Sequence, residues 1–292
     1  MKNEHISKKK IAVIFITITL LLTWVIQFIP LILGMNVSGT SVSLFDASSV
    51  FFTIGGMLPS LLGGAGVLIL YDKTHAKDFF VRCFVPNKRC VVGIFISLAL
   101  ISFESFVTQM ISKSMGAESL GFEGLKLIVG NPLMLFYFLF WGFISGPLSE
   151  ELGWRGFLTD LLFDKKKTTN IVLLIGFVWG IWHLPLFFYP AQIQYEWFHI
   201  NPLLGIGFIA NCMTNALVYS VVYVISERRV FSIFFLHMFE NIILTGAMIY
   251  PFSETYSIVV VPVSIVIDIA FYFVMAHTKL YKSSVERIGS SQ

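Results

Sequence analysis

The sequence predicts an all-α, polytopic membrane protein: about eight transmembrane helices in one bundle, with both termini cytoplasmic. Three observations predict it. Hydrophobic residues make up 56% of the 292 and charged ones only 13%, against roughly a quarter charged in a soluble domain. Mean hydropathy is +0.81, and Phe alone occurs 30 times. The apolar residues come in runs of about 20, the length that crosses a hydrocarbon core. The basic residues recur on alternate connections, as positive-inside topology requires.

The expected spans are 11–34, 48–71, 90–112, 131–148, 169–189, 203–225, 230–250 and 257–277. The first follows the basic start MKNEHISKKK. Its apolar run is longer than the roughly 7–15 residues of a signal peptide, which predicts an uncleaved first span. The second contains Gly55, Gly56, Gly63, Gly64 and Gly66. In a hydrophobic span these fit close helix packing, not a phosphate-binding loop. The fourth runs into Gly146-Pro147 and then into charge, and the seventh contains His237 and Glu240.

The longest of the connections between spans are 72–89, 113–130, 149–168 and 190–202, with 115–127 expected as an exposed loop or short interfacial helix. The chain reads as a single domain, 1–292. It begins with a basic cytoplasmic tail (1–10), carries its functional core in 130–250, and ends in a flexible tail (279–292).

The charge count tests this topology independently. Lys2, Lys8, Lys9 and Lys10 lie in the N-terminal tail, and Lys73, Lys77, Arg82, Lys88 and Arg89 in the second connection. Arg155 and Lys165, Lys166 and Lys167 lie in the fourth, and Arg228 and Arg229 in the sixth. Lys279, Lys282 and Arg287 close the chain. Only Lys113 and Lys126 of the 20 basic residues fall on the opposite side. Topology thus accounts for the basic residues, so no nucleic-acid partner is expected. Cys83, Cys90 and Cys212 have no paired spacing, which leaves no disulfide framework and no cysteine metal knuckle.

Ionisable residues at membrane depth are costly and usually face a bundle interior. Here they are Glu104, Glu150, Glu151, Arg155, His183, His237, Glu240 and Asp268. Six of them fall in three short segments. In Gly146-Pro-Leu-Ser-Glu-Glu-Leu-Gly-Trp-Arg-Gly156, Pro147 is expected to end one helix or start the next, and Ser149 to cap the new start. Glu151 and Arg155, four apart, share a face and can pair. Glu150, about 100° round the helix, is left as a candidate general base. In Trp179-Gly-Ile-Trp-His-Leu-Pro185, His183 closes an apolar span, one turn after Trp179. In His237-Met-Phe-Glu-Asn241, His237 and Asn241 project to one side, suited to holding an oxyanion.

Each segment also has a bland reading: a capping turn with a surface ion pair, an interfacial histidine in an aromatic belt, or polar glue between helices. A single cavity holding Glu150, His183, His237 and Asn241 explains all three together. In that topology His183 lies toward the external end of its span, so the span is shorter than drawn or the cavity is deep. Glu104, Glu240 and Asp268 carry no assigned role.

The three segments resemble the EExxxR, FxxxH and HxxxN/D motifs of the CAAX-protease and bacteriocin-processing (Abi) family of membrane proteins. Glu150-Glu-Leu-Gly-Trp-Arg155, Trp179…His183 and His237…Asn241 stand in the family's order. The resemblance covers roughly 130–250, and Trp179 stands where the family usually has Phe. It implies an intramembrane endopeptidase of the cell membrane, acting on a membrane protein or lipidated peptide, with CAAX-type C-terminal trimming in the eukaryotic branch. Carried over by position, Glu150 would activate water, supported by Glu151 through Arg155. His183 would hold that water, and His237 with Asn241 would stabilise the oxyanion. No cofactor is the favoured expectation. Glu150, His183 and His237 are the ligands if zinc takes part.

Two rival readings accompany it. One is a non-proteolytic immunity or scaffold protein of the same fold. The other is a transporter, with a path lined by Asn211, Thr214 and Asn215 beside Glu104 and Asp268. Transporters usually show internal repeats, and none is visible. Substrate identity and oligomeric state are not encoded in any motif.

Overall fold

A computed structural model describes residues 7–37, 47–117, 123–163, 168–190, 192–248 and 254–290. Among them every regular element is helical. The α-helices are α1 (Lys8–Ile32), α2 (Ala47–Leu70), α3 (Lys73–Phe84), α4 (Lys88–Ser114), α5 (Glu123–Gly130), α6 (Pro132–Phe143), α7 (Ser149–Glu151), α8 (Thr159–Leu162), α9 (Thr168–Trp182), α10 (Ile193–Ile200), α11 (Pro202–Ile225), α12 (Val230–Met248), α13 (Glu254–His277) and α14 (Lys279–Ser290). Two π-helical turns, Ile144–Leu148 and Leu152–Leu158, join α6, α7 and α8, and a 3₁₀ turn, Leu184–Phe188, follows α9.

Seven helical runs among the described residues are long and apolar enough to cross a membrane. The protein is an integral, multi-pass membrane protein. The remaining expected span, 230–250, is α12, whose apolar stretch Val230–Ile243 is shorter than the others.

The distribution of side chains inverts that of a soluble protein. Val13, Ile32, Phe95, Phe103, Val266 and Phe273 are 56–79% exposed, as suits contact with lipid. Polar and small residues are buried instead. On α1 the buried stripe runs Ala12, Phe15, Thr19, Thr23, Gln27, Pro30. On α4 it runs Gly93, Ser97, Leu100, Ile101, Ser105, Thr108, Ser112. Both recur every three or four residues, which puts them on one face. Small residues there let backbones approach where lipid supplies no hydrophobic drive.

The chain forms two compact units. The first comprises Met1–Phe84 and Leu148–Ala216; the second comprises Val85–Pro147 and Leu217–Gln292. In the first, α2 packs on α1 and on the π turn Leu152–Leu158. A β-carbon on Gly63 would lie 2.8 Å from Gly153 Cα, and one on Gly66 would lie 2.9 Å from the Phe157 ring. Gly153 in turn sits against the Pro59 carbonyl, where any β-carbon collides. So Gly63 and Gly66 meet the close-packing expectation, whereas Gly56 and Gly64 face open space. Pro59 has no N–H for the Gly55 carbonyl, and Thr23 Oγ1 donates to that carbonyl at 3.2 Å. Trp182 Nε1 donates to the same hydroxyl at 2.9 Å. This relay ties the end of α9 to α1 and α2.

Gly176 and Gly180 form a second close approach: β-carbons there would lie 2.6 Å from Met213 Cα and 3.1 Å from Ile209 Cα on α11. In the second unit, α12 packs on α4, α5 and α6. A β-carbon on Gly93 would lie 2.6 Å from Ser226 Oγ.

Two expectations are corrected. The chain does not break at Pro147, and Ser149 lies inside a helical run and not at its start: the fourth run continues from Pro132 to Leu162. A π turn widens the helix around Pro147, which absorbs the missing donor without ending the helix. Glu150, Glu151 and Arg155 therefore lie inside a helix and not in a connection. The fifth expected span, 169–189, corresponds to the helical run Thr168–Phe188, in which α9 ends at Trp182 and the 3₁₀ turn follows. Finally, 279–290 is the helix α14, with Tyr281, Ser284 and Ile288 buried. Its i, i+3, i+7 spacing gives the inward face that fixes it. The connections at 72–89 and 190–202 also contain helices, α3 and α10. Of the expected exposed loop at 115–127, residues 118–122 lie outside the described residues, and α5 begins at Glu123.

Candidate active site

In the first unit, α7 and the following π turn carry Glu150, Glu151 and Arg155, and the end of α9 carries Trp179 and His183. All are buried, from 0% exposed at Glu151 to 9% at His183. Arg155 Nη1 donates to Glu151 Oε1 at 2.9 Å, as their i, i+4 spacing predicts. This is a buried ion pair, not the surface pair of the bland reading. Breaking such a pair typically costs about 3–5 kcal/mol, because the partner charge stays buried.

Trp179 touches three of the other four residues. Its indole N–H donates to Glu150 Oε2 at 2.6 Å. Its ring lies under the Arg155 guanidinium, 4.2 Å from ring centroid to Cζ, a cation–π geometry. Its backbone carbonyl pairs with His183 Nδ1 at 2.7 Å. A carbonyl can only accept, so Nδ1 carries the proton, and in the neutral ring Nε2 is the acceptor. The ring is packed edge-on by Trp182 at 4.7 Å and Phe208 at 5.1 Å. These contacts set tautomer and orientation together. The sequence marked Trp179 only as an aromatic in place of Phe. A phenyl ring would keep the packing but has no N–H for Glu150.

In the second unit, α12 presents His237, 4% exposed, and the partly exposed Asn241. The π turn after α6 runs against them. A β-carbon on Gly146 would lie 2.5 Å from Asn241 Nδ2 and 2.8 Å from His237 Nε2. The two side chains are therefore side by side, as their spacing predicts, and only glycine fits between them and the turn. On α11, Tyr219 lies edge-on to the His237 ring, 6.0 Å between centroids. Its hydroxyl donates to Glu240 Oε2 at 2.7 Å. Glu240 is thus bound beside His237, although the sequence placed it on a different part of the helical wheel. Glu104 and Asp268 hydrogen-bond to each other, and Glu240 acts on Glu104 electrostatically. Acids within spans commonly pair in this way. Of the polar residues of α11 singled out for a transport path, Thr214 and Asn215 are buried, at 7% and 9% exposed, and Asn211 is partly exposed; the Thr214 hydroxyl donates to the Asn211 carbonyl.

Among the described residues no three His, Cys, Asp or Glu side chains are grouped as a metal-ligand set. Within the first unit, one Glu150 oxygen and one His183 nitrogen are already engaged by Trp179.

Residues 132–243 match the family model described as Type II CAAX prenyl endopeptidase Rce1-like. That stretch contains all three motif segments. The chain is also 24% identical over 231 residues to the CAAX prenyl protease 2 of Methanococcus maripaludis, which covers 75% of this chain and 80% of that protein. With the motif residues in order and their local geometry built as described, the chain is similar to the CAAX prenyl endopeptidases over the stretch that carries its motifs.

Proposed function

We propose that this chain cleaves a peptide bond near the C-terminus of a lipidated, membrane-anchored protein or peptide, using a water activated by Glu150 and no metal. The carrying observation is the arrangement around Trp179, which orients a carboxylate and a histidine with fixed tautomer in one buried place.

In this reading, Glu150 removes a proton from water as the oxygen attacks the scissile carbonyl carbon. His183 Nε2 accepts a hydrogen bond from the same water and aligns its lone pair. Charge develops on the carbonyl oxygen, where His237 and Asn241 donate hydrogen bonds. The C–N bond then breaks, and the proton on Glu150 passes to the leaving amine. Glu151 and Arg155 fix the helix turn and the Trp179 ring that aim Glu150. The metal-free form is supported by Asn241, a poor zinc ligand.

The test is cleavage of a farnesylated peptide with a CAAX-type end by purified protein in lipid nanodiscs, with the released tripeptide measured by mass spectrometry. Wild type is expected to cleave, and E150Q to fall by about 10²–10⁴-fold, the range for loss of a general base. Equal rates for both would overturn the assignment. If this peptide is not a substrate, E150A protein used to trap bound membrane peptides identifies the true class. Stoichiometric zinc in wild-type protein, lost in H183A, would overturn the metal-free form.

A further inference from the structure

We propose that Tyr219 and Glu240 form a positioning pair that holds the His237 ring in its working orientation. The proposal rests on the reading above for its catalytic consequence, but not for its geometry.

His237 has two walls in the second unit. Gly146 bounds its Nε2–Cε1 edge, leaving no room for a β-carbon. Tyr219 bounds the ring edge-on, at 72° between planes. A wall constrains a ring only if it is itself fixed. Tyr219 is 1% exposed, and its far end is pinned by the 2.7 Å hydrogen bond to Glu240. Glu240 lies one turn after His237 on the same helix, so the pin and the ring it controls ride on one rigid element. A Tyr ring turns about few bonds. Once its hydroxyl is fixed, the plane that meets His237 is fixed as well.

A carboxylate inside a membrane protein is expensive to retain unless it acts. Packing alone would have been satisfied by Phe at 219 and an apolar residue at 240. The polar pair adds directional control that packing does not supply.

The experiment uses full-length protein in nanodiscs, labelled at its six histidines, with the His237 ring resonances identified by their loss in H237Q. Y219F keeps the ring and removes the hydroxyl. E240A removes the acceptor, and E240Q keeps one. The expected result is that Y219F and E240A each shift or broaden the His237 ring signals, that Y219F/E240A adds nothing further, and that E240Q recovers most of the wild-type spectrum. On the farnesylated peptide, Y219F should lower kcat roughly tenfold to a hundredfold with KM unchanged, the size of effect expected from misplacing a reacting group. Thermal midpoints of the variants are recorded alongside, because a merely structural role would lower those and leave the E240A-to-E240Q recovery absent.

His237 signals that stay at their wild-type positions in Y219F or in E240A overturn the pair. So does a wild type that cleaves while Y219F keeps full kcat. A wild type that cleaves nothing while the His237 signals respond as expected supports the pair and counts against the peptidase reading alone.

Discussion

The two halves of the motif set, one in each unit, are held by different means. In the first unit, Glu150 and His183 are fixed by directed bonds that converge on one tryptophan: an indole N–H, a backbone carbonyl and a cation-bearing ring face. In the second, His237 and Asn241 lie against a glycine that admits no side chain, and His237 meets the edge of a tyrosine that is itself hydrogen-bonded to Glu240. The proposed chemistry suits this difference. A general base must keep its orientation while its charge changes, which calls for hydrogen bonds aimed at it. An oxyanion hole must stay rigid while charge appears on something else, which calls for steric confinement. Loss of the bonds that Trp179 makes should therefore injure the first half, and added bulk at Gly146 should injure the second.

The largest effect expected beyond E150Q itself is from bulk in the second half. G146V would place methyl groups where His237 Nε2 and Asn241 Nδ2 now lie. Peptide cleavage should fall by about 10²–10³-fold, the scale for loss of oxyanion stabilisation. G146A should lie between G146V and wild type. If G146V cleaves normally, confinement is not how this half works. Equal added volume at Gly64, which faces open space, is the control, and G64A should leave activity and thermal midpoint unchanged.

Next in size is a stability effect in the first half. R155M strands the Glu151 carboxylate in a buried site, which should cost about 3–5 kcal/mol, read as a lowered thermal midpoint in detergent. E151Q/R155M removes both charges, and should recover part of that loss. A double variant as unstable as R155M would show that the pair matters through packing and not through charge.

W179F separates the two functions of the central tryptophan. It keeps an aromatic face for Arg155 and removes the donor to Glu150. Leaving a buried acceptor without its partner typically costs about 1–3 kcal/mol. Cleavage should fall by roughly tenfold, while the thermal midpoint moves less than in R155M. This comparison also bears on the family's usual residue. If W179F is faster than wild type, the indole bond restrains Glu150 and does not aim it.

Much of this was legible in the sequence, for physical reasons that can be named. Hydropathy and charge placement gave a helical membrane protein, because lipid leaves a spanning backbone few options. Helical spacing alone placed Glu151 with Arg155 and His237 with Asn241. What it could not give was any contact between distant segments. Trp179 was visible as an aromatic, but the target of its N–H lies 29 residues away. Tyr219 carried no signal at all, since its partner is on the next helix. Pro147 misled for a local reason: a missing donor usually ends a helix, and only a widened turn, which has no sequence signature here, lets it continue. The Gly176-x-x-x-Gly180 spacing is a packing signal in its own right, and it marks the close approach to α11.

The same contrast between directed bonds and their setting appears away from the site, at the smallest scale. In the first unit, Arg82 joins α3 to α8 through Asp160, at 2.9 Å and 3.3 Å, and both side chains are about 7% exposed or less. In the second, Arg287 of α14 reaches Glu227 at 2.8 Å, with side chains 41% and 33% exposed. The distances are almost the same, and the surroundings differ. Water and salt screen the second pair, so R287M should shift stability by less than about 1 kcal/mol. The first pair cannot be re-solvated, and R82M should cost several times more. Burial of the neighbouring Cys83 pushes its thiol up to about 12, so at pH 8 a thiol reagent reports on local opening of α3 there. R82M should speed Cys83 labelling while R287M leaves it alone. Equal labelling rates in both variants would mean that the buried pair does not hold α3 in place, and that hydrogen-bond length, not burial, ranks these contacts.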